Sequence, residues 1–258
     1  MSVRPKRELG QHWLVDENIL GVIARLAKLE RNDVVLEIGP GLGVLTAFLA
    51  DRVAFVHAVE LDRTLESLLR ERLAGRANLQ LAFGDALSYP FSGLDPAPGK
   101  LVSNLPYNVA TPIVVESLAR LPTVDHWCVM VQREIADRFF ASPGTKEYGA
   151  VSVVVQLAAE RTGFHPVSRT SFRPPPRVDS ALIAFRRRRP WAEDLDEVRR
   201  VAQAAFAHRR KTLANSLALG GFEPARIRAA LEAARATSGE RAEALAPEAF
   251  VRLTEHLV

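Results

Sequence analysis

The sequence predicts a doubly wound α/β domain followed by a small all-helical one, and three observations carry the prediction. From residue 34 onward, apolar runs of strand length alternate with segments of helical periodicity. The runs are nearly continuous rather than alternating, as when helices cover both faces of a parallel sheet. Beyond Arg189-Pro190, helical patterns follow one another with no strand between them.

The elements follow in order. After a basic arm (Arg4, Lys6, Arg7), Asp16 can cap a helix whose apolar residues Ile19, Leu20, Ile23, Leu26 and Ala27 share one face. Val34–Ile38 reads as a strand and Leu45–Asp51 as a helix; Phe55–Val59 is the next strand and Thr64–Leu73 the next helix. Strands at Leu79–Phe83 and Leu101–Asn104 precede a helix over Pro112–Leu121. His126–Val131 is a further strand, with helices at Arg133–Phe140 and Ala150–Ala159. Gly163–Val167 and Ser180–Arg186 extend the same sheet. The appendage has helices near Asp196–Phe206, Lys211–Leu219, Ala225–Ala234 and Pro247–Leu257, which sets domains at 1–188 and 189–258.

Composition narrows the function classes. The net charge is +4, but residues 1–185 carry 20 Lys/Arg against 20 Asp/Glu, while residues 186–258 carry 14 against 10. The whole excess therefore lies in the helical quarter, where a polyanion could dock. A lone Cys128 excludes an internal disulfide and fits a reducing compartment; its apolar neighbours make it a packing thiol. No stretch approaches the ~18 apolar residues of a membrane span. A cytoplasmic protein with no membrane association and no bound metal is the expectation.

Glu37-Ile38-Gly39-Pro40-Gly41-Leu42-Gly43 sits where the first strand meets its helix, and glycines there allow close backbone approach to a ligand. Glu60 ends the second strand, 21 positions after Gly39, the slot where a carboxylate holds ribose hydroxyls. The spacing G-x-G-x-G departs from the G-x-G-x-x-G of dinucleotide sites, and Glu37 would repel a pyrophosphate. S-adenosyl-L-methionine, with ribose, adenine, ammonium and sulfonium and no phosphate, fits better. Asp85, after the third strand, can accept from the adenine amine or simply cap a turn.

Asn104-Leu105-Pro106-Tyr107 closes the fourth strand. The Asn104 side-chain oxygen and the Leu105 carbonyl can both accept from an exocyclic amine, Pro106 narrows the turn, and Tyr107 offers a ring for stacking. Two acceptors on one amine orient its lone pair toward an electrophile, the geometry for alkylating an amino nitrogen. As a bare tetrapeptide it is also an ordinary turn.

Together these elements resemble the KsgA/RsmA family of ribosomal RNA adenine N6-dimethyltransferases, nearly end to end. The resemblance rests on Leu9-Gly10-Gln11-His12-Trp13-Leu14 (with His and Trp for the family's usual Asn and Phe), the glycine loop, Val59-Glu60-Leu61-Asp62, Gly84-Asp85-Ala86 and Asn104-Leu105-Pro106-Tyr107-Asn108. Val131–Ala136, Tyr148-Gly149 and Phe172–Ser180 follow in family order. It implies a Rossmann-like methyltransferase domain with cofactor contacts at His12, Leu14, Gly39, Glu60, Asp85 and Asn104. It implies that Phe172 packs on the target base opposite Tyr107, although a Phe before a proline-rich turn is also a common core anchor. The implied substrate is a pair of adjacent adenosines in a hairpin near the 3′ end of 16S rRNA, in the small ribosomal subunit, acted on by a monomer.

Ala205–Leu213 resembles the F-x-x-R-R-K-x-L element of the ribosome-maturation branch. Arg209, Arg210 and Lys211 are candidate phosphate contacts, against the ordinary alternative of a solvated helix face. Arg186–Arg189 reads either as a further RNA contact or simply as a strand end and linker. Three competing classes stay open: an Erm-type enzyme on 23S rRNA, a non-catalytic assembly factor, and a dinucleotide-dependent oxidoreductase.

Overall fold

A computed structural model describes residues 5, 6, 9–188 and 194–258. Arg4 and Arg7 of the basic arm and the Arg189-Pro190 junction lie outside the described residues. The chain divides into two units: Met1–Ala136 with Arg161–Arg187, and Asp137–Glu160 with Arg188–Val258.

In the first unit a two-residue strand, β1 (Trp13–Leu14), precedes helix α1 (Glu17–Leu26). Asp16 caps α1, its carboxylate accepting from the Asn18 amide at 3.0 Å, and Ile19, Leu20 and Ile23 enter the core. Then come β2 (Val34–Ile38), α2 (Val44–Ala50), β3 (Phe55–Glu60), α3 (Glu66–Arg72), β4 (Leu79–Phe83), β5 (Lys100–Asn104), α4 (Ala110–Arg120), β6 (His126–Gln132) and α5 (Arg133–Phe139). After α6 (Ala150–Ala158) the chain returns through β7 (Ala159–Val167), β8 (Phe172–Arg173) and β9 (Ser180–Arg187).

Seven strands form one sheet in the order β4-β3-β2-β5-β6-β9-β7. The five from β4 to β6 are parallel, and β9 runs antiparallel to β6. The sequence prediction of a doubly wound sheet holds. Because β2 pairs with β3 on one side and β5 on the other, the winding reverses there. Doubly wound sheets open a crevice at the carboxyl ends of such strands. Buried Ser103 ties the two ends together, accepting from the Ile38 amide at 2.8 Å. Separately, β1 and β8 form a two-stranded antiparallel ladder, Trp13 opposite Arg173 and Leu14 opposite Phe172.

The arginine run at the end of β9 is more than a linker. Arg187 is buried and donates to the carbonyls of Val124, Leu118 and Leu121 at 2.9, 3.0 and 2.8 Å. Those carbonyls belong to the end of α4 and the turn after it, so the cation satisfies a helix terminus while lying over the Trp127 ring. Cys128 is buried in the sheet as a packing thiol, its pKa pushed up to about 12 by burial.

The second unit contains α6 with α7 (Leu195–Phe206), α8 (Leu213–Leu219), α9 (Pro224–Ala233) and α10 (Pro247–Leu257). The sequence reading sets domains at 1–188 and 189–258; in the structure the segment Asp137–Glu160, which carries α6 and the first residues of β7, groups with the helices of the second unit. Tyr148 donates to the Leu245 carbonyl at 2.8 Å and meets Phe206 edge-on; Phe206 in turn stacks on Phe250. Helix α6 buries Val153, Val154, Val155 and Leu157. A helix so apolar can be claimed by either core, and its pattern does not say which.

Candidate active site

At the carboxyl ends of β2 and β5 the first unit opens a cleft whose empty space, with its solvent-open mouth included, is about 850 Å³. Four stretches line it: the arm Leu9–Leu14, the glycine loop from Glu37, the end of β3 at Glu60 and Leu61, and the turn from Asn104 to Val109. Among the described residues no lysine or arginine lines the cleft, whereas two glutamates do.

The loop takes its shape from glycine. Gly39, Gly41 and Gly43 have φ of 75°, 56° and 76°, the left-handed region that side chains disfavour. At Gly41 a Cβ would stand 3.0 Å from Trp13 Cδ1, so the glycine also admits the indole over the loop. Glu60 receives the Gly41 amide at 3.0 Å and the Asp62 amide at 2.9 Å. Burial raises its pKa, and the Asp62, Gly41 and Leu61 amides oppose the rise.

Glu37 is 1% exposed, and one of its carboxyl oxygens has no hydrogen-bond partner. Burial pushes its pKa up to about 8; the neighbouring Thr46 hydroxyl opposes the rise and the Glu60 charge adds to it. The Trp13 indole N–H is likewise buried without a partner. An orphaned acceptor and an orphaned donor in the lining of one cleft complement the ammonium and carboxylate of an amino acid. Acidic lining with no cation excludes the phosphates of a dinucleotide and suits a positively charged ligand. These residues fit S-adenosylmethionine, with Glu60 and the glycine loop available to its ribose.

The arm is fastened by Asp62, at the start of the turn after β3. Lys6 Nζ lies 2.6 Å from its carboxylate, Gln11 donates at 3.0 Å and the Thr64 hydroxyl at 2.6 Å. Burial acts to raise the Asp62 pKa, but Lys6, Thr64 and Gln11 outweigh it and hold the group down to about 2. Sequence reasoning passed over this latch, since nothing in the local pattern joins residues 56 positions apart.

Asn104 donates its amide nitrogen to the His12 carbonyl at 3.0 Å. A carbonyl only accepts, so the carboxamide is fixed with its oxygen on the opposite side. The Leu105 amide bonds to Met130 O at 3.0 Å, while Leu105 and Pro106 line the cleft; the Pro106 ring sits 3.4 Å from where a Gly39 Cβ would be. The Tyr107 hydroxyl bonds to Ser180 Oγ, which anchors the ring, and burial raises the phenol pKa. The His12 ring lies 5.3 Å from the Tyr107 ring, and its Nδ1 bonds to the Pro174 carbonyl at 2.8 Å. That nitrogen therefore carries the proton, leaving Nε2 as the acceptor of the neutral ring. Leu14 also lines the cleft while its side chain is core.

Three sequence expectations are placed differently. Phe172 is 1% exposed and packs into the core cluster with Leu14 and Leu20, so its ring presents no free face to a base. Its strand β8 turns it inward, because pairing with β1 sends alternate side chains to opposite faces. Asp85 is exposed and outside the cleft lining; its carboxylate accepts from the Leu87 amide at 2.9 Å, the turn-capping alternative. Arg209 donates to the Lys146 and Tyr148 carbonyls at 2.8 and 3.2 Å, holding a loop within the second unit. Arg210 and Lys211 are exposed, and their side chains have no hydrogen-bond or ion-pair partner among the described residues.

A doubly wound sheet, a phosphate-averse glycine loop and an amide-bearing turn across the same crevice define the class: a Rossmann-like methyltransferase. The family model described as Ribosomal RNA adenine dimethylase matches residues 3–257, and the chain belongs to that family. It is 45% identical over 254 residues to the Ribosomal RNA small subunit methyltransferase A of Rubrobacter xylanophilus, covering 97% of this chain and 94% of that protein. The protein of the same name from Moorella thermoacetica is 43% identical, with 98% and 92% covered. Among solved structures, a dimethyladenosine transferase from Plasmodium falciparum superposes with a TM-score of 0.78 at 25% identity, covering 94% of this chain and 96% of that one. The 23S rRNA methyltransferase ErmE superposes with a TM-score of 0.66 at 31% identity, covering 95% and 99%.

Proposed function

We propose that this protein transfers methyl groups from S-adenosylmethionine to N6 of two adjacent adenosines in a hairpin near the 3′ end of 16S rRNA, during maturation of the small ribosomal subunit. The observation that carries the reading is the orientation of Asn104. Its nitrogen is spent on the His12 carbonyl, so its oxygen remains to accept from an exocyclic amine. The Leu105 carbonyl is the second acceptor, and the anchored Tyr107 ring supports the extruded base on one face.

S-adenosylmethionine, when bound, supplies a methyl group on a sulfonium. The side chains do the rest by placement. Two acceptors on one amino group draw its hydrogens out of the ring plane and localise the lone pair for in-line attack. Rate then comes mainly from proximity and alignment. The methylated nitrogen is acidic and loses its proton to a carbonyl or water, so no strong base is required. Glu37 and the Trp13 N–H bind the amino-acid end, and His12 keeps the arm against the Pro174 turn beside Tyr107.

Arg210 and Lys211 are the phosphate contacts of the helical unit, and Arg209 supports the loop beside them. The protein acts as a monomer in the cytoplasm; no described helix is long and apolar enough to cross a membrane. Similarity favours the small subunit over the Erm alternative, since relatives at 45% and 43% identity carry the small-subunit name while ErmE stands at 31%.

The test is Asn104→Ala. Methyl transfer to unmethylated small subunits should fall at least ~100-fold, the scale for losing one oriented polar group at a reacting centre. Near-normal transfer would remove the role assigned to the carboxamide. Primer extension across both ribosomal RNAs separates the small-subunit reading from the Erm one.

A further inference from the structure

Residues 161–178, Arg161 to Val178, contain four arginines and one histidine and no Asp or Glu. Residues 1–185 balance only with these four arginines counted, and this is their most one-sided stretch. Arg161, Arg169, Arg173 and Arg177 are all exposed, and none has an ion pair or hydrogen-bond partner among the described residues. Two of them are positioned by the cleft itself. Arg173 stands opposite Trp13 in the β1–β8 ladder, and Trp13 lines the cleft. Arg177 lies three residues from Pro174, whose carbonyl holds the His12 ring, and three from Ser180, which holds the Tyr107 hydroxyl. Three residues span at most about 10 Å, so Arg177 is tethered close to both walls. Pro174, Pro175 and Pro176 restrict φ between the two arginines, so little chain freedom is lost when they bind.

We propose that Arg173 and Arg177 form an RNA-backbone clamp on the rim of the cleft, gripping phosphates that flank the extruded nucleotide. The proposal rests on the RNA-methylation reading above and adds a contact surface on the catalytic unit. A nucleotide can enter an uncharged or acidic cleft only if its two neighbouring phosphates stay outside, at the rim. Guanidinium groups pair with phosphate oxygens bidentately, which fixes position as well as supplying attraction. Val178, 47% exposed in the same turn, adds an apolar contact for a neighbouring base or ribose.

The test uses the full-length protein and an RNA hairpin carrying the two loop adenosines. Arg173→Gln with Arg177→Gln should reduce the slope of log affinity against log salt by about 1.4, at ~0.7 per single-strand phosphate contact. KM for RNA should rise at least tenfold, kcat should stay within threefold, and cofactor affinity should not change. Arg31→Gln with Arg72→Gln removes the same charge from exposed positions elsewhere and should leave slope and KM as in the wild type. If the rim variant behaves like that control while the wild type methylates normally, the clamp is wrong and the function stands. If the wild type methylates neither the hairpin nor unmethylated small subunits, the functional reading fails and the clamp with it.

Discussion

The lining of the cleft and the turn at its rim lie side by side and carry opposite charge. The lining holds Glu37 and Glu60 and no cation among the described residues; the 161–178 stretch holds four arginines and no acid. The contrast sorts two ligands on one surface. A cationic cofactor is drawn to the interior, where burial makes each charge count, and a polyanionic chain is held at the edge, where water screens it. An enzyme that mixed the two would attract phosphate to the place where the sulfonium must sit.

The largest effect should come from breaking the acidic side. Glu60→Ala strands the Gly41 and Asp62 amides and removes the ribose acceptor, so cofactor affinity should fall by more than ~100-fold, about 3 kcal/mol, by calorimetry. Next, Arg187→Met asks whether every arginine near the sheet belongs to the RNA surface. Three carbonyls lose their donor, so stability should drop by about 3 kcal/mol in denaturant titration, with the salt slope of RNA binding unchanged. An altered slope would put Arg187 in the wrong group.

Glu37 sharpens the comparison through pH. Its carboxyl rises from 4.5 in the unfolded chain to about 8 in the fold. Its contribution is complete below pH 4.5 and is lost as pH climbs toward 8, because the unfolded chain ionises first. Cofactor-free protein should therefore lose stability across that window by at most about 1.4 kcal/mol per pH unit. Glu37→Gln should flatten the slope, and binding of the cofactor's ammonium should release protons that calorimetry in two buffers detects. The smallest effect belongs to the arm. Lys6→Met should cost about 1 kcal/mol or less, since Lys6 is partly solvated. It should also move the acid titration of Asp62 upward from about 2. Asp62 stabilises the fold above its ordinary carboxylate range, and that contribution fades as pH falls through 2.

The sheet was legible because apolar runs such as Val34–Ile38 and Trp127–Val131 have one reading when both faces are covered. The glycine loop, Glu60 and the Asn104 turn were legible because each ends a strand, and strand ends converge wherever the winding reverses. Phe172 and Arg209 were not, because an aromatic beside prolines and a cation in a charge run suit core, scaffold or ligand equally. Their neighbours decide: Leu14 for the one, two loop carbonyls for the other. The β1–β8 ladder left no trace in the pattern either, since two residue pairs are too few to show a period.

That ladder bears on how the protein is made. Trp13 pairs with Arg173, so one wall of the cleft is synthesised some 160 positions before the strand that fastens it. Domains condense as units while translation proceeds. A nascent chain that has already built β2 through β6 still lacks the partner strand, and its pocket stays open on that side until β8 has left the exit tunnel. Methylation thus has to wait until β8 has been made and has paired with β1.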